Sequence, residues 1–296
     1  MAKNKIKIGP AERAFDIFNV IFMLLLCIIM IYPFYYVVIA SVSEPAKLMA
    51  FDGVLLAPAG FSWGAYSAVL GNPRIWTGYS NTIFYVVVGT VFNIFMTVLC
   101  AYGLSRKGLM FTRLVTVMVV FTMYFSGGLV PSFLVVKGLG LYNSRLALII
   151  PGAISTFNMI IMRTAFAGVP DSLEESARLE GASHLQILWK IMIPVTMPTI
   201  AVLILYYGVG HWNSWFSAAI YLRDGSKYPL QLYLRQILIE NQIGDMSQTS
   251  ASDDQALLAE TIKYATIIVA TVPILVLYPF LQKYFVKGVM VGSLKG

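Results

Sequence analysis

The chain has 296 residues, of which 58% are hydrophobic and only 12% charged, about half the charged fraction of an ordinary soluble protein. A mean hydropathy of +0.75 excludes a water-soluble globule of this length. The net charge of +7 is carried by basic residues dispersed along the chain, so they are expected to orient it in a membrane rather than to bind nucleic acid.

Charges are absent from 17–43, 75–105, 114–136, 146–162, 191–222 and 264–282. Crossing the hydrocarbon of a bilayer takes roughly 20 residues of helix. These intervals therefore predict an all-α polytopic membrane protein with spans at about 17–40, 81–105, 114–134, 143–163, 196–220 and 262–282. A β-barrel is excluded, because its strands alternate apolar and polar residues whereas these intervals are apolar throughout. Cys27 and Cys100 lie in separate apolar intervals without CxxC spacing and read as small buried hydrophobes.

The N-terminal ten residues are basic, but no small-residue cleavage site follows Ile17–Ile39, so the first span is expected to remain uncleaved. Its outer end carries Tyr32, Tyr35 and Tyr36. The next apolar stretch, 53–73, is interrupted by Gly53, Pro58, Gly60, Gly64 and Gly71 and closed by Pro73. A lipid-exposed segment must satisfy its own backbone, so this stretch is expected to be an external loop with a short amphipathic helix near Ser62–Leu70. In the second span Thr90, Asn93 and Thr97 share a helical stripe; such stripes serve helix packing or line a pathway. Pro151-Gly152 falls inside the fourth span and predicts a kink buried against protein.

With both termini cytoplasmic, the inside segments (1–16, 106–113, 163–190, 283–296) carry 13 basic residues against 8 in the longer outside segments (44–74, 137–145, 223–263). That asymmetry agrees with the positive-inside rule. The loop 223–263 has a polar middle at Asn241–Asp254. No internal repeat or separate soluble domain is apparent, so the whole of 1–296 is read as one transmembrane domain.

The segment 169–194, between spans four and five, is ordered in a way a simple turn would not need. Pro170 ends the preceding element and Asp171 or Ser172 can cap a helix, with Ser172 and Glu175 in capping-box spacing. Leu173, Ala177 and Glu180 fall on one face. Gly181 then breaks the helix, and a second amphipathic turn with Leu185, Leu188 and Trp189 on one side runs to Pro194. Glu174 and Arg178 are spaced i,i+4 and can pair. A short helix–Gly–helix with exposed apolar and acidic groups implies a docking partner.

This segment resembles the signature of the permease subunits of bacterial ATP-binding-cassette importers: Glu-Ala-Ala, three residues, Gly, nine residues, Ile, any residue, Leu, Pro. The chain has Glu175-Ser176-Ala177, Gly181 and Ile191-Met192-Ile193-Pro194 at that spacing, with Ser176 and Ile193 as departures. The resemblance extends over nearly the whole chain. It includes Asn81-Thr82, Ala101-Tyr102-Gly103-Leu104-Ser105-Arg106, Trp212-Asn213, Tyr228-Pro229-Leu230-Gln231-Leu232 and the tail Gln282–Gly288. It looks closest to the carbohydrate-uptake branch, in particular to permeases for complex polysaccharides and oligosaccharides.

The resemblance implies a bacterial cytoplasmic-membrane protein that forms half of a translocation pathway. Implied partners are a second, non-identical permease, two ATPase subunits that bind ATP and Mg, an extracytoplasmic solute-binding protein and a saccharide. It implies that Glu174, Glu175, Ala177, Arg178, Gly181 and Ala182 belong to a coupling helix seated on an ATPase. Aromatic faces with polar tips suit sugars, so Tyr207, His211, Trp212, Asn213 and Trp215, with Tyr36, are substrate-pathway candidates; aromatics also collect at membrane interfaces. The chain has no phosphate-binding Gly-x-x-x-x-Gly-Lys-Ser/Thr, and His184 and His211 lack metal-ligand spacing. It is therefore expected to be neither an enzyme nor a cofactor or metal protein. Two other readings stay open: the same machine for another solute, such as phosphate or a polyamine, and a stand-alone secondary transporter or channel.

Overall fold

The computed structural model describes residues 9–106, 110–246 and 260–276, with side chains 240–246 left aside. Among the described residues the regular structure is entirely helical. It falls into two compact units, one from residues 1–71 and 238–269, the other from 72–237 and 270–296. The tail resemblance at Gln282–Gly288, the end of the sixth span and most of the polar stretch Asn241–Asp254 lie outside the described residues.

The first unit is led by α1 (Pro10–Ser41), whose most apolar window has a mean hydropathy of 2.6. Phe15, Ile21, Leu24, Ile28 and Met30 all stay exposed, so no amphipathic stripe selects one face. Cys27 shares that exposed surface rather than being buried as expected; an all-round apolar helix leaves most of its small residues facing outward. Only the last turn packs, with Ile39 and Ala40 against Leu55, Tyr36, Leu48, Ala59 and Tyr264. The short helices α2 (Pro45–Met49) and α3 (Gly64–Leu70) flank the Gly/Pro-rich stretch, which is a loop as expected. Tyr35 Oη donates to the Leu56 carbonyl at 2.8 Å, and Ser41 and Tyr66 share a hydroxyl contact at 2.9 Å.

The second unit is built on α4 (Pro73–Ser105), 33 residues and about 50 Å long at helical rise. It starts eight residues before the expected span and loosens into one π turn at Tyr85–Gly89. The remaining helices are α5 (Thr112–Tyr124), α6 (Leu129–Gly138), α7 (Thr156–Ala167), α8 (Asp171–Leu179), α9 (His184–Val195), α10 (Met197–Trp212) and α11 (Phe216–Tyr221). α12 (Leu230–Met246) and a helix over 260–276 follow, each passing from one unit to the other, at 237/238 and at 269/270. The core joins Val98, Ala101 and Tyr102 of α4 to Met159, Met162 and Phe166 of α7 and to Ile200 and Leu203 of α10. Ala177, Ile187, Leu188 and Met192 extend it into the 169–194 segment.

Three expected spans differ from simple rods. The third, expected to be continuous over 114–134, is broken between α5 and α6, which meet at 114°. Gly128 at φ +88, ψ 175 turns the chain there, a conformation open to almost no residue but glycine and costing others about 1–3 kcal/mol. The fifth begins after an 84° bend between α9 and α10 and stops at Trp212, leaving Asn213–Trp215 between α10 and α11. The fourth is a 3₁₀ turn (Arg145–Leu148), irregular backbone through Pro151-Gly152, and then α7; Pro151 and Gly152 are exposed rather than buried against protein as expected. By length and apolarity α1 and α4 each suffice to cross a bilayer, and the pairs α5–α6 and α9–α10 qualify as bent spans.

The polar stripe of α4 explains how the break in the fourth span is tolerated. Asn93 Nδ2 donates to the carbonyls of Gly152 and Ala153 at 2.6 and 3.0 Å, and the Ser155 backbone N–H donates to Tyr207 Oη at 3.0 Å. Backbone freed by Pro-Gly in an apolar segment needs such partners. Thr97 meets Tyr207 Oη at 2.6 Å. Because the Asn93 amide nitrogen is held by two carbonyls, its oxygen must accept, so His211 Nε2 donates to it at 2.7 Å. Gly89 makes room for that ring: a Cβ there would sit 2.5 Å from His211 Nε2.

Candidate functional site

The 169–194 segment forms two helices joined by a sharp turn. α8 starts after Pro170, which makes no side-chain cap, so the expected Ser172/Glu175 capping box is not formed. Both residues lie within the helix because the chain enters it one step earlier, with Asp171 already in its first turn. The capping box instead opens α9: Gln186 N–H donates to Ser183 Oγ at 3.4 Å, and the Ser183 N–H donates to Gln186 Oε1 at 2.7 Å.

The end of α8 is a Schellman turn. Gly181 at φ +80 donates its N–H to the Arg178 carbonyl at 3.0 Å, and Ala182 donates to the Ala177 carbonyl at 2.9 Å. These are the two bonds that close a helix through a left-handed residue. A Cβ on Gly181 would meet nothing within 4 Å, so its backbone conformation, not crowding, selects glycine within the chain. Ala177 is buried and Ala182 partly buried against the core, whereas Leu179 is 90% exposed and Leu173, Leu185 and Trp189 are also exposed. Leu188 was expected beside Leu185 and Trp189. It is fully buried because the helix widens into a π turn over Leu188–Met192 and shifts the register of the faces.

An ion-pair cluster ties this element to the ends of two longer helices. Glu174 is buried; one carboxylate oxygen accepts from Arg106 and the other from Arg178 Nη2 at 2.6 Å. Arg106, directly after α4, also donates to the carbonyl of Phe166 in α7 at 3.2 Å and to Ser105 Oγ at 3.1 Å. Its guanidinium lies over the Tyr102 ring, 5.1 Å from the centroid. Arg163 bonds the Leu104 carbonyl at 2.9 Å, so the ends of α4 and α7 are joined twice. A cleft of about 280 Å³ opens beside the cluster, lined by Ser105, Arg106, Phe166, Asp171, Glu174 and Glu175 among others. The i,i+4 pair of Glu174 and Arg178 is present as the spacing allowed. Arg106 stood in a quoted motif without a role, because its partner lies 68 residues away.

The aromatic candidates separate. Tyr207 is buried and committed to Thr97 and Ser155, and His211 is committed to Asn93. Trp212 is buried beside Tyr79, its indole N–H without a partner among the described residues. Asn213 is exposed and Trp215 half-buried, both at the break between α10 and α11. One face of Trp215 is covered by the Arg235 guanidinium at 3.6 Å. Tyr36 belongs to the other unit, where its ring meets Tyr264 edge-on at 5.7 Å. Among the described residues no group of His, Cys, Asp and Glu could hold a metal ion.

Residues 75–291 match the family described as binding-protein-dependent transport system inner membrane component. The polygalacturonan/rhamnogalacturonan transport system permease protein YtcP of Bacillus subtilis (strain 168) is 42% identical over 287 residues, covering 96% of this chain and 99% of that protein. Protein LplC of the same organism is 40% identical over 97% of this chain and 96% of its own length. Among solved structures, a chain of a bacterial ABC transporter involved in the import of the acidic polysaccharide alginate superposes with a TM-score of 0.85 at 34% identity. That match covers 95% of this chain and all of the other.

Proposed function

The chain belongs to the binding-protein-dependent transport system inner membrane components, and from that premise we propose how it works. It is the permease subunit of a carbohydrate ABC importer for oligo- or polysaccharides, a multi-pass membrane protein with the ATPase on separate subunits. In our reading it crosses the membrane six times with both termini in the cytoplasm, and α8 and α9 lie at the cytoplasmic surface as the coupling element. A second, non-identical permease completes the pathway. Two ATPases carry ATP and Mg, and an extracytoplasmic binding protein delivers the saccharide.

The observation that carries this reading is the anchoring of α8. Its exposed side offers Leu173, Glu175 and Leu179 for an ATPase cleft, while its buried side is bolted through Glu174 and Arg106 to α4 and α7. ATP can switch the permease only if it favours one arrangement over the other. A rigidly held α8 passes a push from the ATPases into the two helices that build the core, whereas a loosely held one would dissipate it. Glu175, Arg178, Gly181 and Ala182 serve as the contact edge and turn of that element. Within the pathway Asn213 and Trp215 are the substrate-facing candidates, because Tyr207, His211 and Trp212 are turned into the protein. Cross-linking tests the coupling role. Cysteine at Leu179 should join to an ATPase subunit in the assembled importer, more efficiently when nucleotide is bound; no cross-link in any nucleotide state would remove α8 from that interface.

A further inference from the structure

The end of the second unit opposite α8 carries an unbalanced set of cations. Segments 72–80, 137–146 and 221–239 contain Arg74, Lys137, Arg145, Arg223, Lys227 and Arg235 against a single carboxylate, Asp224. Asp224 is already taken: it accepts from the backbone N–H and hydroxyl of Ser226 at 3.0 and 2.7 Å and pairs with Lys227 at 3.3 Å. Those bonds, the Ser226 hydroxyl first, hold its carboxyl below the ordinary range.

Among the described residues, three of the arginines have aromatic rings rather than carboxylates as partners. Arg145 lies 5.1 Å from the Phe84 centroid, Arg223 5.6 Å from that of Tyr142, and Arg235 3.6 Å from that of Trp215. Arg145 also donates from Nη2 to Asn81 Oδ1 at 2.8 Å. That oxygen is aimed by the same amide's nitrogen, which donates to the carbonyls of Ser226 and Tyr228 at 2.7 and 3.0 Å. The three seats belong to one neighbourhood. Asn143 Oδ1 accepts from the N–H groups of Arg223 and Asp224, both at 3.0 Å. Trp215, Leu148 and Tyr228 pack on one cluster with Leu222 and Leu232.

We propose that Arg145, Arg223 and Arg235 form a carboxylate-reading site for acidic sugar residues at the substrate-entry end of the permease. A guanidinium seated over a ring is limited in its directions and can present the N–H fork that a carboxylate accepts bidentately; Arg145 already spends Nη2 on Asn81 and has only its remaining N–H groups to offer. All three arginines are exposed, so water solvates them until an anion arrives. A uronate offers a carboxylate on a ring with apolar faces, matching cations set among aromatics. This rests on the saccharide-importer reading above. It agrees with two of the similar proteins, one named for polygalacturonan and rhamnogalacturonan and one from an importer of acidic alginate.

The test uses the complete importer in lipid nanodiscs, trapped with vanadate, with trigalacturonate and its carboxyl-reduced neutral counterpart as probes. The parent complex should bind the acidic probe at least about tenfold tighter, roughly the 1.4 kcal/mol of one lost contact. Arg235→Gln and Arg145→Gln should each shrink that difference severalfold, and Arg235→Lys should keep part of it. Arg235→Gln touches no backbone bond, so it stands as a test even if Arg145→Gln fails to assemble. Equal binding of the two probes by the parent, or a preference unchanged in both variants, overturns the site. So does an equal loss in docking of sugar-free binding protein, which would assign the cations to that protein instead. A complex that takes up saccharide yet ignores the carboxylate overturns the site alone. One whose ATPase responds to no binding protein and which transports no saccharide overturns the transport reading itself.

Discussion

Removing the Glu174 carboxylate should release α8 from the membrane helices while leaving them folded. The side chains of Glu174 and Arg106 are only 11% and 13% exposed, so their pair sits near the buried limit, where loss of one partner costs about 3–5 kcal/mol. Arg178 is 51% exposed and spaced i,i+4 from Glu174, a pair worth about 0.3–0.5 kcal/mol. In Glu174→Ala, Arg106 keeps Ser105, the Phe166 carbonyl and the Tyr102 ring but loses its counter-ion. Taking about 3 kcal/mol, the equilibrium constant for docking α8 falls on the order of a hundredfold. In proteoliposomes holding the complete importer, Glu174→Ala should therefore lower sugar uptake per ATP hydrolysed far more than Arg178→Ala. The exchange Arg106→Glu with Glu174→Arg should restore part of the coupling, short of full recovery because Arg178 then faces a like charge. Equal effects of Glu174→Ala and Arg178→Ala, or an exchange no better than the single variants, would refute the reasoning.

Three further outcomes follow from the geometry. Gly181→Val should insert normally but lose uptake through the strain of φ +80, about 1–2 kcal/mol, whereas Gly181→Asn should keep most activity, since Asn tolerates that conformation; equal loss in both would shift the explanation to obstruction of a partner. Gly89→Ala pushes a methyl into the His211 ring and breaks its bond to Asn93, so thermal unfolding in detergent should show a loss of roughly 1–3 kcal/mol, with no loss counting against a fixed ring. Membrane-impermeant thiol labelling should reach cysteine at Lys137 from outside and cysteine at Leu179 only from inside, and labelling of both from one side would defeat the six-span topology.

What was legible in the sequence is what a bilayer enforces on every residue of a segment. Charge-free stretches long enough to cross, the Gly/Pro-rich loop at 53–63, the kink at Pro151-Gly152 and the turn at Gly181 are local consequences of desolvation or of φ. Illegible were the features that depend on a distant partner. Arg106 meets Glu174 and Asn93 meets the 152–153 backbone, and no periodicity connects such positions. The 114° break in the third span has a local sign in Gly127-Gly128, which a charge-free interval does not register. The misplaced capping box shows the same limit on a small scale: Ser172 and Ser183 both have the right neighbour three residues on, and only where each helix starts decides which is used.

The polar stripe of α4 illustrates how substrate and structure compete for the same residues. Asn93, Thr97, Tyr207 and His211 would each suit a sugar hydroxyl, and a polar residue inside a membrane invites that reading. Yet a helix interrupted by Pro-Gly exposes carbonyls and N–H groups that hydrocarbon cannot solvate, and these side chains are spent on that demand or on one another. Substrate recognition must then draw on groups whose hydrogen-bonding capacity the fold leaves over. In the second unit those are concentrated beyond the ends of the spans: Asn213, the edge of Trp215, and guanidiniums held by rings instead of carboxylates. On the proposed reading, selectivity placed there would screen the saccharide before it enters the bundle, and an interior whose polar groups are already paired would bind it weakly, as a pathway must for its cargo to leave.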